Sequence, residues 1–137
     1  MPIFTLVVLL FISGATHACS CGIITIEEKI ETSDYVYLGQ IIKANLKENG
    51  TVENTLKPIE IFKGSPEHWL LESPSRPIKQ CRVYAAVGLK YIVYGKLGQI
   101  PYLSLCGYSQ PIGESYEKAI RNIRKAAEQS VRVKEYL

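Results

Sequence analysis

The chain has 137 residues, 47% of them hydrophobic, with 16 Lys and Arg against 13 Asp and Glu. That is enough for one domain with a single core and too short for two. The formal net charge of +3 excludes the strong basic bias expected of a nucleic-acid-binding domain.

Residues 1–18 differ from the rest. Pro2 to Ile12 is almost wholly apolar, centred on the run from Leu6 to Ile12. Ser13 and Gly14 break it, and Ala15-Thr16-His17-Ala18 places small residues just before Cys19. An apolar core followed by a small-residue cleavage site is the layout of a secretory signal peptide, although Met1 to Phe4 supply no Lys or Arg. The run is short of the roughly 20 residues a membrane-spanning helix needs. The expectation is therefore a signal peptide at 1–18, removed on secretion to the extracellular space, and one domain at 19–137. A lipid anchor on Cys19 would want an aliphatic residue at position 16, where Thr16 stands.

The four cysteines are Cys19, Cys21, Cys81 and Cys106. An even count in a small secreted chain reads as two disulfides. Of the three pairings, Cys19 with Cys21 closes a strained ring. The other two both tie Cys-Ser-Cys to distant points through loops of about 60 residues or more, worth about 4 kcal/mol each by chain entropy. A zinc site of the protein's own fits this spacing poorly. Stapling of the mature N-terminus has a plain stabilising reading and a functional one, in which the α-amine itself must be held in place.

Along the mature chain, residues 23–30 are mixed and expected to begin extended. Tyr35 to Ile42 is aromatic and β-branched and reads as a strand. Asn49-Gly50 signals a hairpin turn, with Thr55 to Phe62 as partner strand. Asn49-Gly50-Thr51 also fits the N-glycosylation sequon. Trp69 to Leu71 is a short apolar segment, and Ser73 to Pro77 has loop composition. Val83 to Val87 and Leu89 to Tyr94 read as strands meeting near Gly88, and Tyr102 to Cys106 as a last short strand. From Tyr116, the spacing of Ala119, Ile120, Ile123, Ala126 and Ala127 predicts an amphipathic helix packed on the sheet. Short strands closed by one helix predict a mainly β domain, a small five-stranded OB-type barrel with a packed C-terminal helix. Neither His68 nor Asp34 has partners at metal-ligand or triad spacing; they read as surface and turn or capping residues.

Cys19-Ser20-Cys21, Ser33-Asp34-Tyr35-Val36-Tyr37, Ile59-Glu60-Ile61-Phe62-Lys63-Gly64, Cys81, Tyr91-Ile92-Val93-Tyr94-Gly95 and Leu105-Cys106-Gly107-Tyr108 with Pro111 together resemble the N-terminal, netrin-like domain of the tissue inhibitors of metalloproteinases. The resemblance runs from Cys19 to about residue 129. It implies an OB-type barrel and the pairings Cys19–Cys81 and Cys21–Cys106. Two departures stand out. Glu31 occupies the region where the family's third disulfide begins, and residues 1–137 include no counterpart of the family's C-terminal domain.

By this resemblance the chain is not an enzyme but a protease inhibitor with no cofactor of its own. Its partners are metzincin-type zinc metalloproteinases, and it acts as a monomer with no membrane span. The backbone amine and carbonyl of Cys19 would chelate the partner protease's zinc. Ser20 would sit over the specificity pocket, with Cys21 and Gly22 continuing the wedge. Ile78 and Lys79 would extend the contact ridge beside Cys19. The competing readings are a non-inhibitory extracellular netrin-like binding module, in which the amine has no role, and thiol exchange by Cys-x-Cys.

Overall fold

A computed structural model describes residues 19–76, 83, 85–113 and 116–135. A short helix α1 (Ile26–Thr32) precedes strands β1 (Tyr35–Leu46), β2 (Thr51–Lys63), β3 (Leu70–Pro74), β4 (Lys90–Gly95) and β5 (Gln110–Ile112). A long helix α2 (Glu117–Glu135) follows. The strands form one antiparallel sheet in the order β3-β2-β1-β4-β5.

β1 is central and buried on both faces, so Tyr35 to Leu38 are all buried and alternate residues enter two different cores. Val36 and Leu38 join Ile92 and Tyr94 of β4 against Ile30 of α1 and Ile120, Ile123, Ala126 and Ala127 of α2. Tyr35 and Tyr37 join Tyr91, Val93, Leu56, Leu71 and Leu103 on the opposite face. The edge of Trp69 meets the Tyr37 ring there, with centroids 4.8 Å apart. The buried residues of α2 fall at the predicted spacing.

The β1–β2 turn forms as predicted. Gly50 takes φ 81°, and Lys47 N–H donates to the Thr51 carbonyl at 2.8 Å. Pro58, which lacks an N–H, stands opposite Gly39 next to a register shift, a place where the ladder tolerates proline. Pro111 lies on the edge strand β5 for the same reason.

Four expectations are corrected or refined. The stretch from Ile23 begins non-helical, with Thr25 extended as expected, but residues 26–32 turn helical, because Thr25 Oγ1 accepts from Glu28 N–H at 3.2 Å and caps the first turn. Thr25-x-x-Glu28 is the sequence signature of a capping box, and it was legible. Ser73 and Pro74 belong to β3 instead of a loop. Val83 and Ala85 to Val87 lie outside any strand; Leu89 N–H turns back to the Ala86 carbonyl, and hydrogen bonding to β1 starts where Gly88 N–H donates to the Ile41 carbonyl at 2.8 Å. Tyr102 to Cys106 is not a strand. Tyr102 makes one isolated parallel bridge with Glu72. The chain then turns, with Gly107 N–H donating to the Ser104 carbonyl at 3.1 Å. The last strand is β5.

Among the described residues the sheet does not close by continuous strand pairing into a barrel. The Glu72–Tyr102 bridge joins β3 to the segment before β5 by two hydrogen bonds, Glu72 N–H to the Pro101 carbonyl at 2.8 Å and Leu103 N–H to the Glu72 carbonyl at 2.7 Å.

Candidate functional site

Cys19, Ser20, Cys21 and Gly22 are all exposed, and Ile23 is fully so. The run is fastened two residues in. Cys21 is bonded to Cys106, with the Cα atoms 5.3 Å apart across 85 residues of sequence. Of the expected pairings, Cys21–Cys106 is therefore present. The other involves Cys81, which lies outside the described residues, as do the expected ridge residues Ile78 and Lys79.

Beyond Gly22 the chain enters α1 through the Thr25 cap. Lys29, in the last turn of α1, places its ammonium 5.9 Å from the Tyr94 ring centre and 5.7 Å from that of Tyr108. The two rings meet edge to face at 6.2 Å. Burial pushes the Tyr94 hydroxyl up to about 12. Tyr108 is two residues past Cys106, so the turn that receives the disulfide also receives the helix. Ser109 fixes that turn to the sheet: its buried hydroxyl accepts from Tyr94 N–H at 3.1 Å. Beside Cys106 lies a shallow cleft lined by Leu89, Tyr91, Ser104, Leu105 and Pro111.

The far end of α1 is held from β2. Lys63 Nζ donates to the carbonyls of Ile30 at 2.7 Å, Glu31 at 3.4 Å and Ser33. The flank of β1 is held by Asp34, whose carboxylate accepts from Leu97 N–H at 2.9 Å. Asp34 is thus a turn-capping residue, as read from the sequence. The sequence reading missed Lys29, Lys63 and Tyr108 as supports of the site. Their spacing along the chain carries no signal, because each acts on a segment remote in sequence.

Asn49 lies exposed in the β1–β2 turn. Its Oδ1 accepts from both Thr51 N–H at 3.0 Å and Thr51 Oγ1 at 2.7 Å. His68 is exposed. Among the described residues no three His, Cys, Asp or Glu side chains gather into a metal site, and no helix is long and apolar enough to cross a membrane.

No family model matches the chain, and no curated protein matches it.

Proposed function

We propose that this chain is a secreted, monomeric inhibitor of zinc metalloendopeptidases, acting through the N-terminus released by cleavage before Cys19. The observation that carries the reading is the exposed run Cys19–Gly22, anchored by the Cys21–Cys106 bridge. A peptide end is ordinarily the loosest part of a domain; here the bridge lies two residues from the proposed terminus.

The chemistry follows from the backbone. A catalytic zinc keeps one coordination position for the water it activates. The α-amine and carbonyl oxygen of one residue close a five-membered chelate on such an ion and take the water's place. Cys19 supplies both atoms, while its sulfur is assigned to a bridge with Cys81. An end held in place before docking loses less entropy on binding. Ser20, small and exposed, faces the specificity pocket, and Gly22 lets the wedge continue without a side chain. Ile78 and Lys79 extend the contact ridge.

The OB-type, netrin-like barrel belongs to the same proposal. It is supported by the two-sided burial of β1 and by the Glu72–Tyr102 bridge, which brings β3 toward the segment before β5. Glycosylation at Asn49 is compatible with its exposed turn.

The test compares the chain beginning at Cys19 with the same chain carrying one added alanine ahead of it, each titrated against a panel of zinc metalloendopeptidases. Inhibition by the first alone is the expected result. Equal inhibition by both would move the activity to another surface. Inhibition by neither would favour the non-inhibitory binding module.

A further inference from the structure

We propose that Lys63 is a positioning residue for the N-terminal site: its ammonium clamps the C-terminal end of α1 to the end of β2, and so sets the direction in which Cys19–Gly22 leaves the domain. The functional half of this proposal rests on the inhibitory reading; the clamp itself rests on geometry.

A helix ends with carbonyls that have no partner within it. α1 is seven residues long, far below the length at which a helix persists alone in water, so its ends must be met by the rest of the fold. Thr25 meets the first turn. At the other end, Thr32 Oγ1 donates to the Glu28 carbonyl at 2.8 Å and Ser33 Oγ to the Lys29 carbonyl at 2.7 Å. Ser33 N–H donates to the Ile30 carbonyl at 3.3 Å, and the carbonyls of Ile30, Glu31 and Ser33 all accept from Lys63, whose three N–H donors match three acceptors. A cation is also the favoured charge at the negative end of a helix.

The next residue makes the arrangement specific. Gly64 takes φ 52°, and a Cβ there would stand 2.3 Å from the Asp34 carbonyl oxygen. The chain leaving β2 therefore passes directly against the α1–β1 junction, and only glycine fits. Lys63-Gly64 thus acts as one device, with the lysine donating and the glycine permitting the approach. The surrounding charges are mixed. Burial pushes the Lys63 amine below its ordinary value and Lys134 of α2 adds to that, while Asp34 and Glu31 pull the other way.

The site feels this because residues 19–25 run without a break into α1. Turning the helix on the sheet swings that segment about Cys21. Lys29, which lies over Tyr108, sits on the same helix and would move with it.

The experiment pairs Lys63→Met, which keeps the apolar stem and removes the donors, with Arg124→Met. The second variant cuts a different cationic tie to β2, where Arg124 holds Glu60 at 2.9 and 3.0 Å, and leaves α1 alone. Amide exchange over residues 26–33 is expected to quicken about tenfold or more in Lys63→Met, the scale of a lost charged hydrogen bond. Inhibition of a zinc metalloendopeptidase should weaken about tenfold as a looser end pays more entropy on docking. Arg124→Met should change neither. NMR of the unmodified protein gives a measurement independent of whether the variant folds. A persistent Lys63 ammonium signal with couplings across hydrogen bonds to the Ile30 and Ser33 carbonyls is expected, and its absence would overturn the clamp. Unchanged exchange in Lys63→Met would overturn it too. Loosened exchange with unchanged inhibition would overturn the positioning role. An unmodified protein that inhibits nothing, alongside loosened exchange in Lys63→Met, upholds the clamp and overturns the inhibitory reading instead.

Discussion

The ring of Tyr35 fills the space in front of Gly95: a Cβ built on Gly95 would stand 2.2 Å from the tyrosine Cζ and hydroxyl oxygen. The two residues are cross-strand partners, so the aromatic side chain covers the backbone its partner leaves bare. Asp34 N–H donates to the Gly95 carbonyl at 2.9 Å just beside them, which sets where β4 ends.

Gly95→Ala should therefore destabilise the fold by about 2–3 kcal/mol through overpacking. Combined with Tyr35→Ala, much of that loss should vanish, since the clashing ring is gone. Urea unfolding of both single variants and the pair checks this; strictly additive effects would mean that the two residues do not compete for space.

Removing the Cys21–Cys106 bridge by replacing both residues with serine should lower stability by about 2–4 kcal/mol, the range for a long closed loop. The same variant should lose the proposed inhibition even where the fold survives, because the exposed segment Cys19–Gly22 is then no longer anchored at Cys21. Denaturant melts and inhibition titrations on one preparation separate the two effects.

Tyr37 is buried, and among the described residues its hydroxyl has no hydrogen-bond partner. A buried polar group in that state costs about 1–3 kcal/mol. Tyr37→Phe should thus be neutral or stabilising, while Tyr37→Ala should be strongly destabilising through loss of the ring that meets Trp69. Thermal melts of the two variants distinguish these contributions.

Alkali should unfold the protein through its buried tyrosines. Burial raises the ionisation of Tyr35, Tyr37 and Tyr94 above the ordinary value of 10. Above about pH 10 the unfolded chain then releases tyrosine protons that the folded chain keeps, so stability falls as pH rises. Absorbance titration of the phenolates should show a late-ionising group that merges with the rest once the protein is denatured.

Inhibition should weaken as pH falls below about 8, where protons compete with zinc for the α-amine of Cys19. The fall approaches about tenfold per pH unit in the fully protonated range. Inhibition constants measured between pH 6 and 9, corrected for the protease's own titration, test this; a flat profile would remove the amine from the contact.

Much of the scaffold was legible from local pattern. Tyr35 to Leu38 and Tyr91 to Tyr94 are dense in β-branched and aromatic residues, and both became central strands. Asn49-Gly50 gave the turn, and the 3.6-residue rhythm from Ile120 to Ala127 gave the face of α2 that is buried. These succeed because period and turn chemistry are properties of neighbouring residues. Tyr102 to Cys106 failed for the opposite reason: its apolar residues serve one bridge, one core position at Leu103 and one disulfide.

The sequence by itself determined a mainly β domain with a terminal helix and an N-terminal Cys-x-Cys abutting a small-residue segment. Cysteine spacing left the partner of Cys21 open, the family resemblance named Cys106, and the fold bears that pairing out; tertiary structure alone decided that Lys63 caps a helix some thirty residues earlier in the chain, and that β1 is covered on both faces. Each of these depends on which distant segments meet. Hydrogen-bond acceptors at a helix end and the space before a glycine exist only once the chain has folded, so no local spacing encodes them.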